Sequence, residues 1–434
     1  DYSLISKGRL MIMENSYEKY KDSGIAWIGN IPEHWEVKKL GHLYIPRNEK
    51  VSDQDYPALS VTMQGVLLQL ENVAKTNDGD NRKLVKIGDF AINSRSDRRG
   101  SCGISKYDGS VSLINIVLTP INDMNPVYYE WLFHSSLFSD EYYRWGHGIV
   151  NDLWTTRWQE MKNIQIVAPP LHEQQLIAAY LDQKCGEIDE LITLQEEMIT
   201  KLQSYKQSVI TEAVTKGLDK NVPLKDSGIE WIGEMPKHWN ICKLKNIFLL
   251  STGTTPKDFD QTSEEDNLIN WYTPSDILDS CNDLFSSQRK LSEKVIYANK
   301  ISLFPIGTLL YVGIGASAGK VGYANENGYS NQQITGLIPL NCYSRFYFYY
   351  LSALKDKIRD NAFFTTLPII NNAYLGQELI PFHTLSEQQS IANSLDKKCS
   401  EIDELISIKQ QKIEKLKDYK KSLIFECVTG KRKV

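Results

Sequence analysis

Between residues 82 and 106, seven basic side chains (Arg82, Lys83, Lys86, Arg95, Arg98, Arg99 and Lys106) stand against two acids, Asp89 and Asp97. The centre of that run, NSRSDRRGS from Asn93, is built from short polar residues and glycine, which reads as a loop. Arginine, serine and asparagine supply donors for phosphate oxygens. They also read base edges in a major groove, where arginine addresses guanine and asparagine addresses adenine. The candidate contact residues are Asn93, Ser94, Arg95, Ser96, Arg98, Arg99, Ser101 and Lys106. The competing reading is a charged loop that only meets solvent.

A second stretch, GTLLYVGIGASAGKVGYA from Gly307, has the look of a phosphate cradle and fails its tests. The segment Gly315–Lys320 is one residue short of a P-loop, and Val321 stands where Ser or Thr would bind a metal. A tight strand–turn–strand fits it better. Ser317 and Lys320, with Gln332 and Gln333 downstream, still offer donors and acceptors suited to DNA. The acid run Glu264–Asp266 must then face away from phosphates.

Signs of catalysis are missing. Asn125-Pro126-Val127-Tyr128 has valine where a methyltransferase tetrapeptide needs its second proline, and no cofactor-type glycine motif, helicase P-loop or nuclease carboxylate–lysine pair is recognisable. His34 and His238 have no partner at metal or triad spacing. The seven cysteines are scattered with no CxxC, which argues against zinc ribbons and disulfide frameworks and fits reduced thiols in a cytosol. A net charge of −5 requires any phosphate-binding face to be local. No apolar run approaches the ~18 residues of a membrane span, and the first residues lack a secretory pattern. Met13 opens a start-like stretch, so residues 1–12 read as upstream sequence.

The elements that must carry these loops are written twice. KDSGIAWIGNIPEHW at 21–35 returns as KDSGIEWIGEMPKHW at 225–239. LHEQQLIAAYLDQKCGEIDELI from Leu171 returns as LSEQQSIANSLDKKCSEIDELI from Leu385, and both copies run on to a KLxxYKxSxIxExVT stretch. Between the repeats lie segments 45–168 and 249–382, with no visible likeness to each other. Chains of 434 residues hold two to four domains, and the repeats read as a frame that presents the two variable segments.

The long repeats turn helical near Glu173, with apolar residues at helical spacing (Ile188, Leu191, Ile192, Ile199, Leu202, Val209) repeated from Ile402. Ser386 and Gln389 resemble a capping box, and Gly217 and Gly430 resemble stop signals. Two copies of one stripe suit an antiparallel pair about a pseudo-twofold axis; ordinary bundle helices are the plainer reading. From Ile188 to Val214 such a rod spans about 40 Å, close to the ~34–36 Å of one DNA turn. The aromatic blocks around Trp27, Pro32, His34 and Trp35 read as a structural clasp. The variable segments mix strand-like runs (LSVTMQGVLL, VSLINIVLT, LLYVGIG) with helical ones at Tyr128–Ser136 and Ser344–Lys357.

In this order, twice, the KDSGIxWIGxxPxHW openings, the EQQxIAxxLD helix starts, the IDELI helices and the NSRSDRRGSCGIS loop resemble type I restriction–modification specificity subunits from about Tyr17 onward. The resemblance implies an α+β fold with a pseudo-twofold internal repeat. Two mixed α/β target-recognition domains, 17–170 and 218–384, would be separated by two long helices forming an antiparallel coiled-coil spacer, 171–217 and 385–434, behind an N-terminal extension, 1–16. It implies that each domain binds one half of a split double-stranded DNA site. It further implies that two methyltransferase subunits dock on the chain and bring S-adenosylmethionine, that a motor–nuclease subunit joins for cleavage, and that this chain binds no cofactor and catalyses nothing. Family contacts would fall in the loop at Asn93–Ser105; the resemblance marks no counterpart loop in the second segment. A catalytic methyltransferase and a helical adaptor without DNA affinity are the alternative classes.

Overall fold

The computed structural model describes residues 16–69, 79–95, 98–121, 123–148, 154–256, 268–299, 301–360, 363–364 and 368–434. The expectations for Ser96, the acid run at 264–266 and residues 1–12 lie outside the described residues. The chain forms two compact units, one from residues up to Glu196 with Gln410–Val434, the other from Glu197–Lys409.

Unit 1 opens with a hairpin, Tyr20–Asp22 against Asn30–Pro32. Its repeated KDSG has a local cause. Gly24 sits at φ +70°, where a side chain is strained, and its N–H donates to the Asp22 carboxylate at 2.9 Å. Gly228 (φ +72°) and Asp226 repeat this in unit 2. Next, β1 (Glu36–Lys39) pairs antiparallel with β6 (Gln165–Ala168), joining the short block to the approach of the long helix. The central sheet contains β2 (Tyr44–Pro46), β3 (Phe90–Asn93), β4 (Cys102–Ile104) and β5 (Asn115–Pro120), in the order β4-β3-β5-β2. Helices α1 (Pro126–His134) and α2 (Ser136–Arg144) cover it. Buried aromatics fill the space between, with the Phe90 and Phe133 rings 4.5 Å apart; each such buried side chain contributes roughly 1.5–3 kcal/mol.

Unit 2 repeats the plan. β7 (Asn240–Lys243) pairs with β12 (Leu379–Phe382). β8 (Phe248–Thr252), β9 (Leu309–Val312), β10 (Val321–Ala324) and β11 (Ile334–Pro339) lie in the order β8-β11-β9-β10, with Asn282–Leu284 added at the β10 edge. α3 (Ser344–Asp360) follows β11 as α1 follows β5. The variable segments, unlike in sequence, thus share a four-stranded core. They diverge outside it: Gly109–Val111 pairs antiparallel with Arg82–Val85, whereas Gly328–Ser330 pairs parallel with Leu268–Tyr272.

The long helices are Leu171–Lys216 and Leu385–Val428, of 46 and 44 residues. The expected capping box at Ser386 and Gln389 is corrected: Thr384 caps the second helix, its carbonyl and hydroxyl both accepting from Glu387 N–H. Thr384 and Glu387 have the same spacing, two residues earlier, and there the preceding strand ends. Gly217 (φ +74°) and Gly430 (φ +71°) stop the helices in the left-handed conformation.

Each unit contains a helix pair. In unit 1, Ile188 on the first helix and Leu423 and Cys427 on the second share the core, and Lys420 bonds Asp189 at 2.7 Å. In unit 2, Ile210 and Val214 join Ile391 and Leu395, and Lys206 bonds Asp403 at 2.7 Å. The repeats exchange these partners, Asp189 corresponding to Asp403 and Lys206 to Lys420. Exposed ion pairs add only about 0.2–1 kcal/mol each; their effect here is on register.

The short repeats clasp the helix ends. Trp35 is fully buried, and its Nε1 donates to Glu173 at 3.0 Å. Tyr17 Oη donates to the same carboxylate at 2.8 Å, and His34 Nε2 lies 2.6 Å away. Burial opposes charge on Glu173, but these hydrogen bonds outweigh it and hold the group below the ordinary carboxylate range. Gly430, past the end of the second helix, sits against Pro32 and Trp35. One tryptophan therefore meets the start of one helix and the end of the other, which makes the pair antiparallel. Trp239 does the same in unit 2, donating to Glu387 at 3.0 Å and meeting Gly217.

Candidate nucleic-acid interface

In unit 1 three sets of described residues converge at one end of the central sheet: Ser94 and Arg95 after β3, residues 112–114 ahead of β5, and the backbone at 147 and 154–156. Ser94 N–H donates to the Ile114 carbonyl at 3.3 Å, Thr156 N–H donates to the Ser94 carbonyl at 3.0 Å, and Arg95 and His147 each form a bridge with Thr155. Unit 2 reproduces this network. Gly313 N–H donates to the Gln333 carbonyl at 2.8 Å, Ile370 N–H donates to the Gly313 carbonyl at 2.7 Å, and Ile314 bridges Ile369. The β9–β10 loop is therefore the counterpart of the Asn93–Ser105 region, a correspondence that sequence comparison left open.

The sequence-derived residues divide by burial. Arg95, Arg98 and Arg99 are exposed on the β3–β4 loop. Arg99 is 3.3 Å from Asp140 and lies over the Tyr143 ring, 5.2 Å from its centroid. Ser94 is half-buried, its hydroxyl donating to the Ile114 carbonyl at 2.6 Å. Asn93 and Ser101 are buried; the Asn93 side chain accepts from Arg95 N–H at 3.0 Å, and the Ser101 carbonyl accepts from Asn93 N–H at 2.9 Å. In this structure both shape the loop from inside. Lys106 is exposed but follows β4, at the strand end away from the loop. Two more of the basic residues serve the fold: buried Arg82 donates to the Ser110 hydroxyl at 2.8 Å, and Lys83 Nζ donates to the Asn115 carbonyl at 2.7 Å.

In unit 2, Ser317 and Lys320 lie on the β9–β10 loop and Gln332 and Gln333 immediately ahead of β11. Lys320 is mostly covered and lies 2.9 Å from Asp279, whose carboxyl it holds below the usual range. Gln332 is exposed and accepts from the Thr255 hydroxyl; Gln333 is half-buried and accepts from the Asn331 amide at 3.0 Å.

Sequence reasoning missed the pairing of His147 with Thr155, which brings exposed His147 to the same end of unit 1. Its only local mark is Gly146, packed against Trp154, where a Cβ has no room.

The edge offers exposed guanidinium, imidazole, amide, hydroxyl and aliphatic groups, all suited to binding, and among the described residues no group of His, Cys, Asp or Glu is placed to hold a metal ion. Burial pushes the Cys427 thiol up to about 12, and Cys102 still higher, leaving them poor nucleophiles. Among the described residues no helix is long and apolar enough to cross a membrane.

A family model described as the type I restriction modification DNA specificity domain matches residues 32–203 and again 236–418. The MjaVIII type I restriction enzyme specificity subunit of Methanocaldococcus jannaschii is 25% identical over 429 residues, covering 93% of this chain and 94% of that one. The MjaIX specificity subunit of the same organism is 30% identical over 187 residues, 42% of each chain. Among solved structures, the HsdS subunit from Thermoanaerobacter tengcongensis aligns with TM-score 0.55 at 17% identity, over 92% of this chain and 98% of that one. A chain from a structure on complex assembly and conformational transition of the type I R-M system aligns with TM-score 0.73 at 15% identity, with the same coverages. Fold and family agree: the chain belongs to the type I restriction–modification DNA-specificity family, the non-catalytic DNA-recognition subunits of those systems.

Proposed function

We propose that this chain reads a bipartite double-stranded DNA site, one half with each unit, and presents that site to modification subunits docked on its frame. The observation that carries the reading is the recurrence of one three-segment edge in both units with different side chains on it. A repeated scaffold with diverged contact residues is what recognition of two unlike half-sites needs.

Two methyltransferase subunits would dock, one per unit. The support is a pair of matching exposed apolar groups on the long helices: Leu191, Leu194 and Tyr419 in unit 1, and Leu405, Ile408 and Tyr205 in unit 2. Each occupies the same repeat position as its counterpart. S-adenosylmethionine would be bound by those subunits and none by this chain, with adenine the methylated base, a motor–nuclease subunit joining for cleavage, and the cytoplasm the site of action. Methylome sequencing of a host expressing this chain with its methyltransferase partner tests the proposal. A two-part motif with modified adenines in both halves is the expected result. Active partner and cofactor with no motif would refute it and favour the helical-adaptor reading.

A further inference from the structure

The matched edges allow a position-by-position comparison of what each unit offers a base pair. Backbone pairing aligns Arg95 with Ile314 and Thr155 with Ile369, through the bridges Arg95–Thr155 and Ile314–Ile369. It aligns Leu113 and Ile114 with Gln332 and Gln333, through the bonds from Ser94 and Gly313. The chemistry is exchanged between the two places. Unit 1 has a guanidinium where unit 2 has two aliphatic side chains, and aliphatic side chains where unit 2 has two amides.

Ile314 and Ile369 are 37% and 38% exposed, side by side on a polar edge. The fold does not require isoleucine at these two places, since the equivalent places in unit 1 carry arginine and threonine. The chain has no arginine between Arg289 and Arg345. Arg345 is held by Asp283 and Asp396, and Lys320 by Asp279. The places in unit 2 matched to Arg95 and Thr155 thus lack the fork that best reads guanine O6 and N7. What it offers are amides, which pair with adenine N6 and N7, and methyl-bearing side chains, which suit the thymine C5-methyl group.

We infer that unit 2 reads its half-site through A·T pairs, with Gln332 and Gln333 on adenine and Ile314 and Ile369 against thymine methyl groups, while unit 1 reads a guanine with Arg95. The inference rests on the bipartite reading proposed above and adds the bases.

The test uses the complex of this chain with its modification partner, on duplexes carrying the motif found by methylome sequencing. Gln332→Ala relaxes one half and Arg95→Ala the other, each leaving the opposite half intact as a control for folding. The half relaxed by Gln332→Ala is expected to show A·T at the affected positions, with discrimination reduced roughly 5- to 100-fold. Replacing its thymines with uracil removes only the methyl groups. That should weaken wild-type binding about threefold per contacted thymine and have a smaller effect on Ile369→Ala, which keeps only Ile314. Replacing guanine by 7-deazaguanine in the other half should weaken wild type and spare Arg95→Ala. G·C pairs at the positions relaxed by Gln332→Ala, or an equal uracil effect on wild type and Ile369→Ala, would overturn the inference while leaving the bipartite function standing. Absence of any two-part motif would overturn the function itself.

Discussion

The helix pairs make a quantitative prediction about the gap between half-sites. Each long helix carries one acid and one lysine used in pairing, Asp189 and Lys206 on the first, Asp403 and Lys420 on the second. Inserting seven helix-forming residues after Gln195 and seven more after Lys409, the equivalent point of the second repeat, lies between those partners on both helices. Both ion pairs and both clasps therefore keep their registers. Seven residues at ~1.5 Å add about 10 Å along a helix, about three base pairs at ~3.4 Å each. The helices themselves turn little, because seven residues fall only about 20° short of two full turns and the apolar stripe continues; three base pairs turn the duplex by about 100° at ~10.5 per turn, so modification should be weaker. The variant complex should methylate a motif with the same half-sites and a gap about three base pairs longer, read directly by methylome sequencing. Four residues in each helix should lengthen it by about two, with a turn of about 40° against the ~70° of two base pairs, so modification should be weakened less. An active seven-residue variant with an unchanged gap would refute the use of these helices as a ruler.

Other perturbations separate frame from edge. Arg95→Ala with Arg98→Ala should weaken recognition of one half-site and leave the other intact, measured with duplexes altered in one half at a time; loss at both, or at neither, would contradict the loop assignment. Glu173 has its acidity raised by the clasp, so its contribution to stability is present above the ordinary carboxylate range of ~4.3 and is lost as pH falls through its lowered value. Denaturant midpoints taken from pH 7 down to pH 3 should show a steeper acid loss for wild type than for Glu173→Gln. Gly430→Ala should destabilise more than Gly217→Ala, by about 3 against ~1 kcal/mol, in denaturant unfolding. Both strain a left-handed residue, but only at Gly430 would the new Cβ run into the Pro32 ring.

The frame was legible because it is written twice. Trp35 and Trp239, or Asp189 and Asp403, identify each other in the sequence, and helical spacing does the rest. The shared core of the variable segments was hidden. What β3 and β9 have in common is pairing order and an apolar interior, which many residues satisfy. The approach of Thr155 and Thr156 to Ser94 and Arg95 was hidden for another reason: α1 and α2 intervene, and backbone pairing across some sixty residues leaves no local pattern. For Asn93 and Ser101 the sequence leaves two uses open, because a short polar side chain near a loop serves the backbone as readily as a ligand. Only burial separates the two uses, and burial is a property of the fold.

The division of the chain also sets an order of events during synthesis. Unit 2 is one uninterrupted stretch, Glu197–Lys409, whereas unit 1 needs Gln410–Val434 to complete its core. Tyr128, for example, donates to the Val428 carbonyl across 300 residues, and Trp35 waits for Gly430. As the chain leaves the ribosome, the later-encoded unit can close first. The earlier one stays open until Gln410–Val434 emerge, with aromatic surface destined for its core still exposed. Damage to residues 410–434 would therefore fall on the earlier-encoded reader and spare the one encoded beside them.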